Sequence, residues 1–231
     1  LGDVAITLQR SSRRQSIGLQ VKHGQVKLYA PAHVCEKTIV QFIKHKQTWI
    51  EKHLLQQQAV AAQQSKPLAI GSTVLWLGQH KVLSVLAGHS SANYVDEQQL
   101  VLHFSKSRMP SITADGLTQH VKRFYQQQAQ RVLSQRLAML AELTNLEPSS
   151  YKIRYYKARW GSCNSRGEVS LNYLLMMTPE FVIDYVIIHE LCHLVHLNHS
   201  ASFWTLVAKY CPDYKQAKQW LKTHQSQLTI K

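Results

Sequence analysis

His189-Glu190-Leu191-Cys192-His193, continued by Leu194-Val195-His196-Leu197-Asn198-His199, is the stretch from which the fold and the chemistry of this chain are read. Residues four apart on a helix lie on one face, so His189 and His193 can aim their imidazoles at one ion. Glu190 sits beside His189 and can reach a water on that ion without being a ligand. This is the H-E-x-x-H arrangement of a zinc hydrolase, with the carboxylate as general base. A catalytic zinc takes three protein ligands and keeps one position open. His199 and His196 compete for the third place. On a straight helix His196 stands about 10 Å along the axis from His189, a poor reach for one ion. His199 can fold back if the helix stops near Leu197, and Asn198 tolerates the left-handed backbone that such a stop uses. The expected ligands are His189, His193 and His199, around Zn2+ or another divalent metal, with His196 as a neighbouring, substrate-facing group.

The residues on either side predict how this stretch is held. Thr178-Pro179-Glu180 reads as a helix start, with an N-cap hydroxyl, proline at the first helical position and an acid in the first turn. Phe181, Val182, Tyr185, Val186, Ile188, Leu191 and Cys192 then predict a buried helix. Two histidines and a glutamate on such a helix need partners, which a metal supplies. Ser200 is the expected cap of a following helix carrying Phe203, Trp204, Leu206 and Val207, broken at Cys211-Pro212. A last helix is expected over residues 214–224. Before the metal helix, residues 151–156 and 169–175 predict a β-hairpin around Arg159-Trp160-Gly161-Ser162-Cys163, with Gly167 as the turn. Arg159, Tyr173 and His196 are candidate donors to a substrate oxyanion. A long helix over 117–146 precedes this region.

The N-terminal part alternates with period two. Val4, Ile6 and Leu8, then Ile17, Leu19 and Val21, a His23-Gly24 turn, and Val26, Leu28 and Ala30 predict an antiparallel three-stranded meander. Arg10, Arg13 and Arg14 lie at its first turn and could grip a phosphate or carboxylate. Residues 36–62 read as one long helix with Ile39, Ile43, Ile50 and Leu54 on an apolar stripe. Residues 74–77 and 81–86 predict a hairpin, closed by 88–93, and 100–104 one further strand. The Ser/Pro/Gly-rich segment 106–116 predicts a boundary, giving a β-rich region 1–110 and a metal-binding catalytic domain 111–231. The fold class expected is α+β: an antiparallel β-rich N-terminal half with a long helix, then a helical, zincin-like metal-binding core with a short hairpin.

Composition limits the setting. Of 231 residues 45% are hydrophobic, enough for a sizeable core. No apolar run has the length of a membrane span, so no membrane partner is expected. The four cysteines, Cys35, Cys163, Cys192 and Cys211, form no C-x-x-C pair and suggest a reducing, cytoplasmic setting. Lys and Arg number 27 against 13 acids, a net charge of +14. That excess suits an anionic partner: a nucleotide, a nucleic acid or an acidic peptide.

The motifs Arg159-Trp160-Gly161-Ser162-Cys163, Leu171-Asn172-Tyr173, Pro179, Asp184-Tyr185-Val186, His189-Glu190-Leu191-x-His193-Leu194 and Asn198-His199-Ser200-x-x-Phe203-Trp204 resemble the YgjP-like metallopeptidase family, distant relatives of the SprT-like zincins. The Arg-Ser-x-Arg-Arg-x-Ser segment, Ala30-Pro31 and the segment from Phe42-Ile43 to Trp49-Ile50 carry the resemblance into the N-terminal part. It implies a zincin-like core with a metal held by His189, His193 and His199, and Glu190 as catalytic acid/base. The first functional reading is thus a zinc metallopeptidase. The alternative is a metal-dependent nucleoside triphosphate pyrophosphatase, with Arg10, Arg13 and Arg14 clamping phosphates. A third is a nucleic-acid-binding module with a structural metal, which would leave Glu190 without a role.

Overall fold

A computed structural model describes residues 5–22, 24–64, 67–88, 93–107 and 109–230, with the backbone only for 56–64 and 110. Val4, His23 and the loop 89–92, all named in the sequence expectations, lie outside the described residues. The chain divides into two compact units, Leu1–Lys66 and Pro67–Lys231.

In the first unit, β1 (Ile6–Ser11), β2 (Gly18–Lys22) and β3 (Gln25–Pro31) form one sheet. Its order is β1-β3-β2, and β1 runs parallel to β3. This corrects the antiparallel meander. β2 and β3 form the expected tight hairpin, with Gly24 at φ 74° in its turn. Val26, Leu28 and Ala30 of β3 are fully buried. The strand with the most complete inward alternation takes the centre, which leaves β1 the opposite edge. The single helix expected over 36–62 is two, α1 (Glu36–His45) and α2 (Gln47–Gln64). The chain bends at Lys46, whose N–H reaches the carbonyls of Phe42 and Ile43, both at 3.1 Å. One straight helix of that length, about 40 Å, would overrun a seven-residue strand. The bend lets Ile39 pack with Leu28 and Ala30, while Ile50 and Leu54 pack with Val26.

The second unit begins with a sheet ordered β4-β5-β7-β6: β4 (Thr73–Trp76), β5 (Gln79–Ala87), β6 (Tyr94–Val95) and β7 (Gln99–Phe104). β4 and β5 make the expected hairpin, while β5 and β7 pair in parallel. Leu83, Leu100 and Leu102 share one core with Phe124, Leu133 and Leu137 of α3 (Ala114–Thr144). The division therefore falls at 66/67 and not at the expected 110/111, because apolar burial joins this sheet to α3 and the helices beyond it. Thr113 caps α3 by accepting from the N–H of Gly116 at 3.1 Å, and Asn145 ends it in the left-handed conformation at φ 55°. The Tyr125 hydroxyl donates to the Leu75 carbonyl and pins α3 to β4. Arg136 makes a two-pronged ion pair with Asp184 and pins α3 to α4 (Glu180–Cys192).

The β4–β5 turn bears on the metal helix. Leu77 and Gly78 have φ of 46° and 79°, and their N–H groups bond the carbonyls of Met176 and Met177. A Cβ on Gly78 would come within 2.5 Å of Pro179 Cγ, at the start of α4. Gly78→Ala therefore meets both a left-handed backbone and a packed ring, and should lower stability by about 2 kcal/mol or more. Chemical denaturation measures this, and an unchanged midpoint would show that the turn is not seated on Pro179.

The second sheet of this unit has the order β8-β10-β9, from β8 (Ser150–Arg154), β9 (Gly161–Cys163) and β10 (Glu168–Asn172). The hairpin expected between 151–156 and 169–175 is instead β9 with β10, while β8 pairs parallel on the other side of β10. Asn164 explains the choice. Its side-chain carbonyl accepts from the N–H groups of Arg166 and Glu168, both at 3.0 Å, closing a turn at Gly167 that reaches only the adjacent residues 161–163. After β10 come a 3-10 segment, Tyr173–Met177, then α4, α5 (Ala201–Tyr210) and α6 (Tyr214–His224). No helix among the described residues is long and apolar enough to cross a membrane.

Candidate metal centre

α4 carries the site. The Thr178 hydroxyl does not cap it, as the sequence suggested. It donates to the Leu175 carbonyl at 2.8 Å and closes the preceding 3-10 segment. The helix starts on the Pro179 carbonyl, which accepts from Val182 and Ile183. Phe181, expected in the core, is 46% exposed, while Val182, Ile183, Val186, Ile187 and Leu191 are buried. The helix stops at Cys192, earlier than the stop near Leu197, with His193 as its C-cap. Asn198 does not take the left-handed conformation. Its side chain accepts from the N–H of Ser200 at 3.2 Å, and the loop returns by that turn. Ser200 caps α5 as expected, accepting from Phe203 at 3.4 Å.

These elements bring three imidazoles together. The ring centres of His189, His193 and His199 form a triangle of 4.9, 4.8 and 5.0 Å. One ring nitrogen from each lies within 4.8 Å of the others. His196 is not in this group. Its backbone carbonyl accepts from His193 Nδ1 at 2.9 Å. A carbonyl only accepts, so Nδ1 of His193 carries the proton and Nε2 keeps its lone pair for the site. Nε2 of His189 and Nε2 of His199 face each other at 3.1 Å. Two lone pairs at that separation repel unless a proton or a cation lies between them. His189 is pushed down to about 3, first by burial and then by His193, His199 and Lys218. Its ring stays neutral, the state a metal ligand requires. Its buried Nδ1 has no hydrogen-bond partner among the described residues. The donor set and its spacing fit a small divalent cation, for which ligand bonds run about 2.0–2.1 Å.

Two residues whose place here the sequence left open are the rings of α5. Phe203, fully buried, stacks on His193 at 4.5 Å and meets His189 and His199 edge-on at 5.0 and 4.9 Å. It is the floor under all three imidazoles. Trp204 stacks on His199 at 5.7 Å, and Lys218 Nζ sits 4.3 Å from its centre. The cap at Ser200 was the signal available, since it sets Phe203 one turn into a helix that begins just after His199.

Glu190 is buried, 5% exposed, and burial pushes it up to about 8, with Arg159 acting in the opposite sense. It presses on β9: a Cβ on Gly161 would lie 2.6 Å from Glu190 Cγ and Oε1. Asn172 fixes that strand's approach. Its side-chain amide donates to the carbonyls of Tyr156 and Arg159 at 2.9 and 3.0 Å, and its N–H to Trp160 at 2.8 Å. Arg159 itself is exposed. Tyr173 is buried against Tyr155, with ring centres 6.0 Å apart. Cys163 is pushed up to about 11 by burial and the charge of Glu190. In the first unit, Arg10 donates to the carbonyls of Ala32 and Val34 at 3.1 and 2.6 Å, and Arg14 lies 4.8 Å over the Tyr29 ring. Both guanidiniums are thereby engaged in their own unit, and Arg13 is exposed.

A family model described as the YgjP-like metallopeptidase domain matches residues 15–224. No curated protein matches the chain. Among solved structures, the metallopeptidase zymogen of Pyrococcus abyssi abylysin is similar at 24% identity and a TM-score of 0.36, covering 40% of this chain and 95% of that one. The metallopeptidase zymogen of Methanocaldococcus jannaschii jannalysin is similar at 21% identity and a TM-score of 0.35, over 40% of this chain and 94% of that one.

Proposed function

We propose that this chain, which belongs to the YgjP-like metallopeptidase family, is a zinc peptidase in which His189, His193 and His199 hold the ion and Glu190 is the general base. The observation that carries the reading is the convergence of three imidazoles beside one buried glutamate side chain. When bound, a divalent ion supplies Lewis acidity toward a scissile carbonyl and makes water more acidic. The protein's own groups do the rest. His196, through its carbonyl, and Phe203, through its ring face, hold the imidazoles in place. Glu190 takes a proton from the attacking water and delivers it to the departing amine nitrogen, as the C–O bond forms and the C–N bond breaks. Burial makes Glu190 a stronger base than an exposed carboxylate, and a cation held by the three imidazoles would favour its ionised form. Arg159, whose charge reaches Glu190, is placed to steady negative charge there.

His193→Ala should lower metal affinity by at least about 10²-fold, because even partners behind the ligands change affinity by 10–100-fold. Metal content after dialysis, together with cleavage of an unfolded protein such as casein, tests the reading. Zinc retained in full by the His193→Ala protein would overturn the ligand set. Cleavage that survives chelation of the wild-type metal would overturn the reaction.

A further inference from the structure

The β8-β10-β9 sheet has two unlike faces. Val169 and Leu171 pair with Cys163 and Gly161, and this side meets Glu190 through Gly161. On the other side, Lys152 of β8, Ser170 of β10 and Ser162 of β9 stand in one row across the three strands, with Arg154 two residues along from Lys152. These four residues, with Tyr156 and Arg159, line a cleft of about 570 Å³. That volume lies within the range of small-ligand sites.

Its charge is unbalanced. None of Lys152, Arg154 and Arg159 is in an ion pair among the described residues. The guanidiniums of Arg154 and Arg159 both lie over the Tyr156 ring, at 4.6 and 5.5 Å from its centre. Two cations held on one ring repel each other unless an anion joins them. Tyr156 is anchored below, its hydroxyl bonded to Ser162 Oγ at 2.9 Å and to Arg154. The one carboxylate on the lining, Glu168, already accepts from Asn164 at 2.7 Å. Two residues of the cleft, Arg159 and Cys163, link it electrostatically to Glu190.

We propose that this cleft is an oxyanion-binding subsite, in which Lys152, Arg154 and Arg159 with the hydroxyls of Ser162 and Ser170 hold a carboxylate or phosphate carried by the substrate. The proposal rests on the peptidase reading for its purpose, since it makes the substrate class a chain bearing an acidic or phosphorylated group. Guanidiniums and hydroxyls are the donors that such groups bind best, and in a cleft the attraction is less screened than on open surface.

The test reads binding and not turnover. Inorganic phosphate and succinate are titrated separately, by calorimetry at low salt, into the full-length metal-loaded protein. The same titrations use Lys152→Gln/Arg154→Gln and, as a control of equal charge change on α6, Lys215→Gln/Lys222→Gln. Lys152, Arg154, Lys215 and Lys222 are all exposed, so the substitutions should leave folding intact. Affinity for one of the anions should fall tenfold or more in the cleft variant, with little change in the α6 variant. A phosphate preference assigns the group to a phosphorylated substrate, and a succinate preference to an acidic peptide. Absence of binding by the wild type, or equal affinities in the two variants, overturns the subsite and leaves the peptidase reading standing. Failure of casein cleavage, in turn, leaves the anion titrations unaffected.

Discussion

Glu190→Gln is expected to keep the metal and to lower peptide hydrolysis by roughly 10²–10⁴-fold, the range general-base catalysis contributes. The amide has nearly the same volume as the carboxylate and fits the same space against Gly161. It cannot accept the proton of the attacking water. No neighbouring group is suited to replace it. The Cys163 thiol is pushed up to about 11, and burial also raises the Tyr173 hydroxyl. Metal content should not change, because Glu190 is not among the three residues whose ligand atoms converge. Two measurements on the same preparation decide the matter: zinc per chain, and initial rates on casein. Rates within threefold of wild type at equal zinc would remove Glu190 from the mechanism.

Gly161→Ala separates position from chemistry. The backbone at Gly161 has no left-handed φ, so alanine adds no backbone strain there. What it adds is one methyl group, built 2.6 Å from Glu190 Cγ and Oε1 and 2.8 Å from Cδ. Side-chain carbons do not approach so closely, so the carboxyl must move. Glu190 is a side chain with torsions to spare, so the effect on stability should be modest. Activity is another matter, because a displacement of about 1 Å in a reacting group can lower a rate by about 10²-fold. The expected result is a Tm close to wild type, zinc bound in full, and hydrolysis reduced about 10²-fold. A large drop in Tm with proportionate loss of activity would make Gly161 a packing residue alone. Wild-type rates would mean that Glu190 does not occupy this position during turnover.

The spacing of His189 and His193 is a local property, fixed by the pitch of one helix, and the structure puts the two rings 4.9 Å apart. Choosing His199 over His196 needed only the axial rise, and the structure groups His199 with the other two. The route of the chain to His199 differs from the expected one. Both the early stop at Cys192 and the Asn198 side-chain turn depend on loop contacts that no periodicity records.

What the sequence by itself determined is therefore whatever adjacent residues impose: the long α3, the cap at Ser200, the β4–β5 hairpin, and the histidine and glutamate spacing on α4. Only the tertiary structure decided the rest. Strand alternation gives two faces but no partner, so β1 against β3, β5 against β7 and β8 against β10 could not be read as parallel pairs. The place of Gly161 against Glu190, of Phe203 beneath three imidazoles, and of Lys152 and Arg154 in one cleft with Arg159 is set by contacts between separate elements of the chain. Such contacts are selected by how side-chain volumes and charges fit in three dimensions, and the linear order of residues carries no measure of that fit.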